Sequence, residues 1–232
     1  MILSGAPTYD TPKGPTVYRF EEDFRNGFWH SSTAGVAKWR SYEQNGADTQ
    51  TVQDDYLRLQ TAGTAQIFHA CANRGFKLQN MAAGAKVRLG AMFRVLDADD
   101  VDVHIGLGAF DSDGYTATAP TDYSGFKITD GAATVQTLNR KDSSDTAITL
   151  ATASDDTWMR VWMEFVAEAT MSSGTLKYWL NGSVVGSTRI TTFPDDLFLF
   201  PVIDAELQVA SDYLDIKWMF AECNLDYTAG TP

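Results

Sequence analysis

Apolar and polar residues alternate with a period of two along much of this chain. Between residues 86 and 95, Val87, Leu89, Ala91, Phe93 and Val95 share one face, while Lys86, Arg88 and Arg94 take the other. That alternation marks a strand with one buried side. After an acidic turn, Val101, Val103, Ile105 and Leu107 repeat it, with Asp102 and His104 opposite. These two segments read as a hairpin whose basic outer face is set against acidic partners. Met159, Val161, Met163 and Phe165 form another inward row. Leu176, Tyr178 and Leu180 follow, and Asn181-Gly182 then gives a strong hairpin signal before Val184-Val185-Gly186. Near the end, Leu214, Ile216, Trp218 and Phe220 are expected to point inward, opposite Asp215, Lys217 and Met219. Shorter strands are expected at 39–42, 56–59, 66–69, 124–128, 134–138, 147–150 and 197–202. No stretch sustains a 3.6-residue period with helix caps. A dozen or more strands at spacings of roughly ten residues predict an all-β chain, an antiparallel β-sandwich in one domain.

Composition narrows the partners more than the fold. With 232 residues the chain can bury a full core without disulfides or metal. Its formal net charge of -12 argues against nucleic acid or an anionic membrane surface as partner. No apolar run approaches the roughly 20 residues of a membrane helix. The start of the chain lacks a basic segment followed by an apolar one, so no secretory signal is expected. Cys71 and Cys223 are expected as small buried thiols. The 23 Asp against seven Glu place the acids in turns rather than on helix faces. Residues 1–17 hold Pro7, Tyr9, Pro12 and Pro15 and read as an extended arm, free or laid on a neighbour. Residues 18–224 form the sandwich and 225–232 a short tail.

Several segments carry a family resemblance. From Ser124 onward the chain resembles the concanavalin A-like, laminin-G-like jelly roll. The residues that carry it are Asp156-Thr157-Trp158 at a strand entry and Tyr178-Trp179-Leu180-Asn181-Gly182-Ser183-Val184-Val185 at a hairpin. The strand Leu214-Asp215-Ile216-Lys217-Trp218 and the opening Phe20-Glu21-Glu22-Asp23-Phe24, followed by Trp29, complete the likeness. Within that group the chain resembles virion structural proteins of tailed bacteriophages, through Ser124–Gly131, the Thr-rich hairpins after it and Pro194-Asp195-Asp196-Leu197. The resemblance implies a non-enzymatic capsid decoration protein made in the host cytoplasm and bound to the outer head. Its partners would be the major capsid protein and its own copies, as a homotrimer. Residues 1–17 would then act as a clasp by strand addition.

Candidate chemistry is sparse, and each motif has a plain structural explanation. Sandwich glycosidases need paired carboxylates on one strand. Glu164 and Glu168 share a face but stand about 13 Å apart at some 3.3 Å per residue. The acids between Asp97 and Asp102 fall where a turn is expected. His104 with Tyr115 or Tyr123 imitates the His–Tyr pair of polysaccharide lyases of this fold without their surrounding motifs. Asp111-Ser112-Asp113-Gly114 looks like the start of a calcium loop but lacks its remaining ligands. His30, His69 and His104 are too scattered for zinc, and no cofactor is expected. Asn181-Gly182-Ser183 fits a glycosylation sequon, yet its turn role accounts for it. Trp162 and Trp179 lie opposite the main apolar rows of their strands, which makes them candidate contacts to a partner or a glycan. Trp158 and Trp218 are expected in the core. The first rival to capsid decoration is therefore a carbohydrate-binding module, a tail-fibre receptor binder or lectin using the two off-phase tryptophans; the second, disfavoured by the missing carboxylate strand, is a polysaccharide-active enzyme.

Overall fold

The computed structural model describes residues 16–24, 39–44, 49–53, 55–61, 66–72, 76–77, 83–109, 122–142, 144–168, 172–194 and 198–225. The described strands begin with β1 (Thr16–Glu22), β2 (Trp39–Gln44), β3 (Thr49–Val52), β4 (Leu57–Gln60) and β5 (Gln66–Ala72). Next come β6 (Phe76–Lys77), β7 (Lys86–Val95), β8 (Val101–Ala109), β9 (Tyr123–Ile128), β10 (Thr134–Lys141) and β11 (Ser144–Thr152). The last are β12 (Met159–Ala167), β13 (Gly174–Leu180), β14 (Ser183–Ile190), β15 (Phe198–Leu207) and β16 (Tyr213–Leu225).

They form two antiparallel sheets of eight strands each. The first runs β14-β13-β12-β7-β16-β4-β3, with β1 beside the C-terminal half of β16. The second runs β11-β10-β9-β8-β15-β5-β2, with β6 beside the start of β15. Val87, Leu89, Phe93, Val161, Met163 and Phe165 of the first sheet pack against Val103, Ile105, Leu107, Phe126, Ile128 and Ile203 of the second in one continuous core. Full burial of one such side chain contributes about 1.5–3 kcal/mol, so these alternating rows supply the driving force for closing one sheet on the other. Cys223 is a buried thiol within this core. Cys71 is buried on β5, its Sγ donating to the Ala72 carbonyl at 3.5 Å.

Two expectations about strand pairing and phase need correcting. β7 and β8 are not a hairpin: β7 pairs with β12 and β16, β8 with β9 and β15, and residues 96–100 cross between the sheets. Both segments offer the same alternation, and only distant partners decide which sheet takes each. The acidic partners of the β7 basic face are Glu164 and Glu222 for Arg88 and Asp156 and Asp215 for Arg94. Second, Trp218 and Phe220 do not point inward. A bulge between Ile216 and Trp218 inserts one residue against β7 and reverses the phase of β16. Leu214 and Ile216 face the core before it; Met219, Ala221 and Cys223 do so after it.

The Asn181-Gly182 hairpin forms as expected, with both residues at positive φ (50° and 88°), the backbone of a two-residue turn that suits strand twist. The acids between Asp97 and Asp102 serve the turn: Asp97 Oδ1 accepts the Asp99 amide, and Asp102 Oδ1 accepts the Asp130 amide. Pro7, Tyr9, Pro12, Pro15, Trp29, Tyr115 and the 111–114 loop lie outside the described residues.

Candidate functional site

The outer face of the β14–β16 sheet carries three ordered rows of side chains. The middle row crosses six strands, as Val184, Trp179, Trp162, Gly90, Phe220 and Glu21 in cross-strand register. Trp162 on β12 and Phe220 on β16 are two strands apart, roughly 9.5 Å from the spacing of neighbouring strands. Their rings nevertheless stack at 5.0 Å and 15°, over the place where Gly90 has no side chain. A Cβ at Gly90 would lie 2.5 Å from Trp162 Cε3 and 3.2 Å from Trp218 Cζ3. Gly90 is thus the floor on which two indoles rest.

The row on one side is Arg160, Met92 and Trp218. Arg160 is held by the hairpin turn. Its amide donates to Asn181 Oδ1 at 2.9 Å, and the Asn181 amide donates to its carbonyl at 2.7 Å. Its guanidinium lies over Gly182, where a Cβ would stand 2.5 Å from Nη2. Arg160, Trp162, Trp179, Gly182 and Trp218 line an open groove of about 360 Å³, within the size range of small-ligand sites. Arg160 is exposed and the three tryptophans are half-buried.

The row on the other side is a charge ladder, Lys177, Glu164, Arg88, Glu222 and Arg19. Arg88 donates to Glu164 at 2.7 Å and to Glu222 at 3.0 Å, which holds the guanidinium above its ordinary pKa. Glu164 is therefore committed to Arg88, and Glu168 accepts three hydrogen bonds from Arg189. Neither carboxylate faces an open acid–base site. Lys177 Nζ turns over the Trp179 ring at 5.1 Å from its centroid, and the Arg19 guanidinium covers Phe220 at 5.0 Å.

Beyond the bulge, Asp215 is fully buried and takes Arg58 through two bonds of 2.7 and 2.8 Å and Arg94 through one of 2.8 Å. Trp158 is half-buried here, packed edge-on against Tyr56 with Arg94 4.8 Å over its ring, rather than in the core. Charged hydrogen bonds and cation–π contacts on this scale make a rigid end wall beside the groove.

On the other sheet's outer face, the described residues around His104 are buried. His104 and Tyr123 do meet, ring centroids 5.5 Å apart and edge-on. Tyr123, however, is fully buried and donates to the Phe126 carbonyl at 2.9 Å, and burial pushes His104 below its ordinary pKa although Asp204 stands 4.0 Å away. That pair packs; it offers no surface to a chain substrate. Among the described residues no three His, Cys, Asp or Glu side chains converge as metal ligands.

The structure thus joins the two tryptophans singled out from sequence, and adds Arg160, Trp218, Gly90 and Gly182. Only the Asn181-Gly182 signal pointed to any of these.

No protein-family profile matches the chain, and no curated protein is similar to it in sequence. Solved structures are similar in fold. The metal-free Emp46p carbohydrate recognition domain superposes with a TM-score of 0.54 at 9% identity, over 79% of this chain and 87% of that one. Peanut lectin gives 0.57 at 8% identity, over 91% and 99%. The fold is the lectin-like, concanavalin A-like jelly roll. A further neighbour, described with endo-acting O-glycanases expressed by human gut microbiota to initiate mucin breakdown, gives 0.56 at 11% identity over 89% and 99%.

Proposed function

We propose that this chain is a non-enzymatic glycan-binding module that takes sugar rings in the groove of Trp162, Trp179 and Trp218. The observation that carries the reading is the aromatic row itself: three half-buried indoles around an open groove, held by a glycine floor and a clamped turn. Apolar sugar faces stack on such rings, while hydroxyls meet the polar rim. The jelly-roll neighbours support it, since two are named as a carbohydrate recognition domain and a lectin. Glu164 and Glu222 both neutralise Arg88, so these two carboxylates are not set out as the acid and nucleophile of a glycoside hydrolase.

The sequence resemblance favours the outer head of a tailed phage, whereas a glycan-binding module on a virion would belong at a tail fibre. Capsid decoration, as a homotrimer on the major capsid protein, is the second reading. It draws on one structural feature, the edge strand β14, where Val184 is 56% and Val185 42% exposed. A polysaccharide panel with the whole chain tests the first reading. Retention on at least one glycan, reduced about tenfold or more by Trp162→Ala or Trp179→Ala with an unchanged far-ultraviolet spectrum, is the expected result. Tryptophan variants that bind as tightly as wild type would overturn it. Immunogold label on tail tips fits this reading, and label spread over heads would transfer the assignment to capsid decoration.

A further inference from the structure

We infer that the sugar held in this groove is acidic, a hexuronate whose carboxylate is gripped by Arg160; the inference rests on the glycan-binding reading. Arg19, Arg58, Arg88, Arg94, Arg140 and Arg189 each pair with a carboxylate. Among the described arginine side chains, Arg160 alone makes no ion pair. In a chain with 30 acidic and 18 basic residues, an unneutralised guanidinium is not a by-product of composition.

Its backbone is fixed at the rim of the groove. Both backbone polar groups of Arg160 bond to Asn181, and its guanidinium occupies the space that Gly182 leaves open. Anchoring the backbone before the ligand arrives leaves only side-chain rotamers to order, which reduces the cost of binding. Lys177, the second cation beside the indoles, also makes no ion pair within 4 Å. The other seven cations on the strands of this sheet are ion-paired, with Glu21, Asp55, Asp156, Glu164, Glu168, Asp215 and Glu222, which leaves Arg160 and Lys177 as the two without an anion. The eight strands of this sheet hold nine of the chain's 18 basic residues and five of its 30 acidic ones. Half of the positive charge of an acidic protein is thus gathered on the sheet that bears the groove.

The hydrogen-bonding inventory points the same way. Guanidinium and indole N–H groups donate only, and none of the five lining residues has a side-chain acceptor. A neutral sugar brings hydroxyls that need acceptors as well as donors. A uronate brings a planar acceptor pair that fits the guanidinium fork through two parallel bonds, with the ring's apolar face left for the indoles.

The test is calorimetric titration of the whole chain with oligomers of polygalacturonate, alginate and hyaluronan, each beside its carboxyl-reduced form, and with dextran and dextran sulfate. Binding to at least one uronate, weakened about tenfold or more on carboxyl reduction, is the expected result. Arg160→Gln, an exposed substitution, should erase the difference between the two forms. If reduced and native oligomers bind equally and both need Trp162, the inference fails and the glycan reading stands. If a neutral glycan binds and no uronate does, the outcome is the same. If nothing binds, acidic or neutral, both fall. Dextran sulfate bound as tightly as any uronate, and insensitive to Trp162→Ala, would make the face a general polyanion surface and overturn the carboxylate grip.

Discussion

A single missing side chain organises the groove. At Gly90 any Cβ would meet the Trp162 ring at 2.5 Å, and that ring is stacked against Phe220. Gly90→Ala is therefore expected to push the indole off its seat, at an overpacking cost of about 1–3 kcal/mol. The core beneath, on the other face of β7, is untouched. Glycan binding should fall at least as far as in Trp162→Ala, while the melting transition stays single and cooperative. A Gly90→Ala protein with wild-type affinity would show that the floor is not needed. Asp212, by contrast, is a buried carboxyl that the fold tolerates at a cost. Burial pushes its pKa up to about 6, and Asp97 and Asp100 add to the effect. Unfolded, it loses its proton near 3.8, so its contribution to stability is full below that pH and is lost as pH rises through 6. Asp212→Asn is expected to raise stability by about 1–2 kcal/mol at pH 7 and to change it little near pH 3.5. His104 works in the opposite sense, since its lowered pKa makes stability fall as pH drops below about 6.5. Denaturant melts of the two proteins across pH 3.5–8 separate the terms.

At the scale of strands, the inward rows of β7, β8, β12 and β13 could be read directly, because period-two alternation is a local property. Trp162 and Trp179 could be read for the same reason, as rings out of phase with their own strands. Trp218 and Phe220 could not. The bulge that turns them outward leaves no mark in sequence: Lys217 is polar on either phase, and the reversal shows only against β7. Nor could the β7–β8 crossing be read, since partner choice depends on strands about a hundred residues away. Arg160 stayed hidden because its meaning lies in what it lacks, a carboxylate neighbour, and neighbours are set by sheet order. The same non-local logic governs Asp215, whose side chain ties β4 and β7 to β16 through Arg58 and Arg94. Asp215→Asn leaves two guanidinium groups without their shared anion beside a buried site. A loss of about 3–5 kcal/mol in equilibrium unfolding is expected, as when one partner of a buried ion pair is removed. A loss below about 1 kcal/mol would place this network with ordinary surface pairs.

For the molecule as a whole, the separation of charge sets how binding should respond to salt. Acidic residues outnumber basic ones by 12 overall, yet the strands under the groove hold nine basic residues and five acidic ones, and Arg160 and Lys177 are without an ion pair. A hexuronate chain approaching that sheet meets attraction from a few nearby cations and repulsion from acids elsewhere. Salt weakens both, because the Debye length contracts from about 30 Å at 0.01 M to about 10 Å at 0.1 M. Each fully neutralised charge on a single-stranded polyanion adds about -0.7 to the slope of log affinity against log salt. If Arg160 and Lys177 are the contacts, the slope can reach only about -1.4, and screening of the repulsion offsets part of it. Titrations of an acidic oligosaccharide between 10 and 300 mM salt should therefore give a line shallower than that. Arg160→Gln should flatten it further, while Trp162→Ala lowers affinity at every salt concentration without changing the slope. A slope several times steeper would mean that the ligand neutralises the whole basic face. The indoles would then be bystanders, and recognition would belong to the charge ladder of Lys177, Arg88 and Arg19 rather than to the groove.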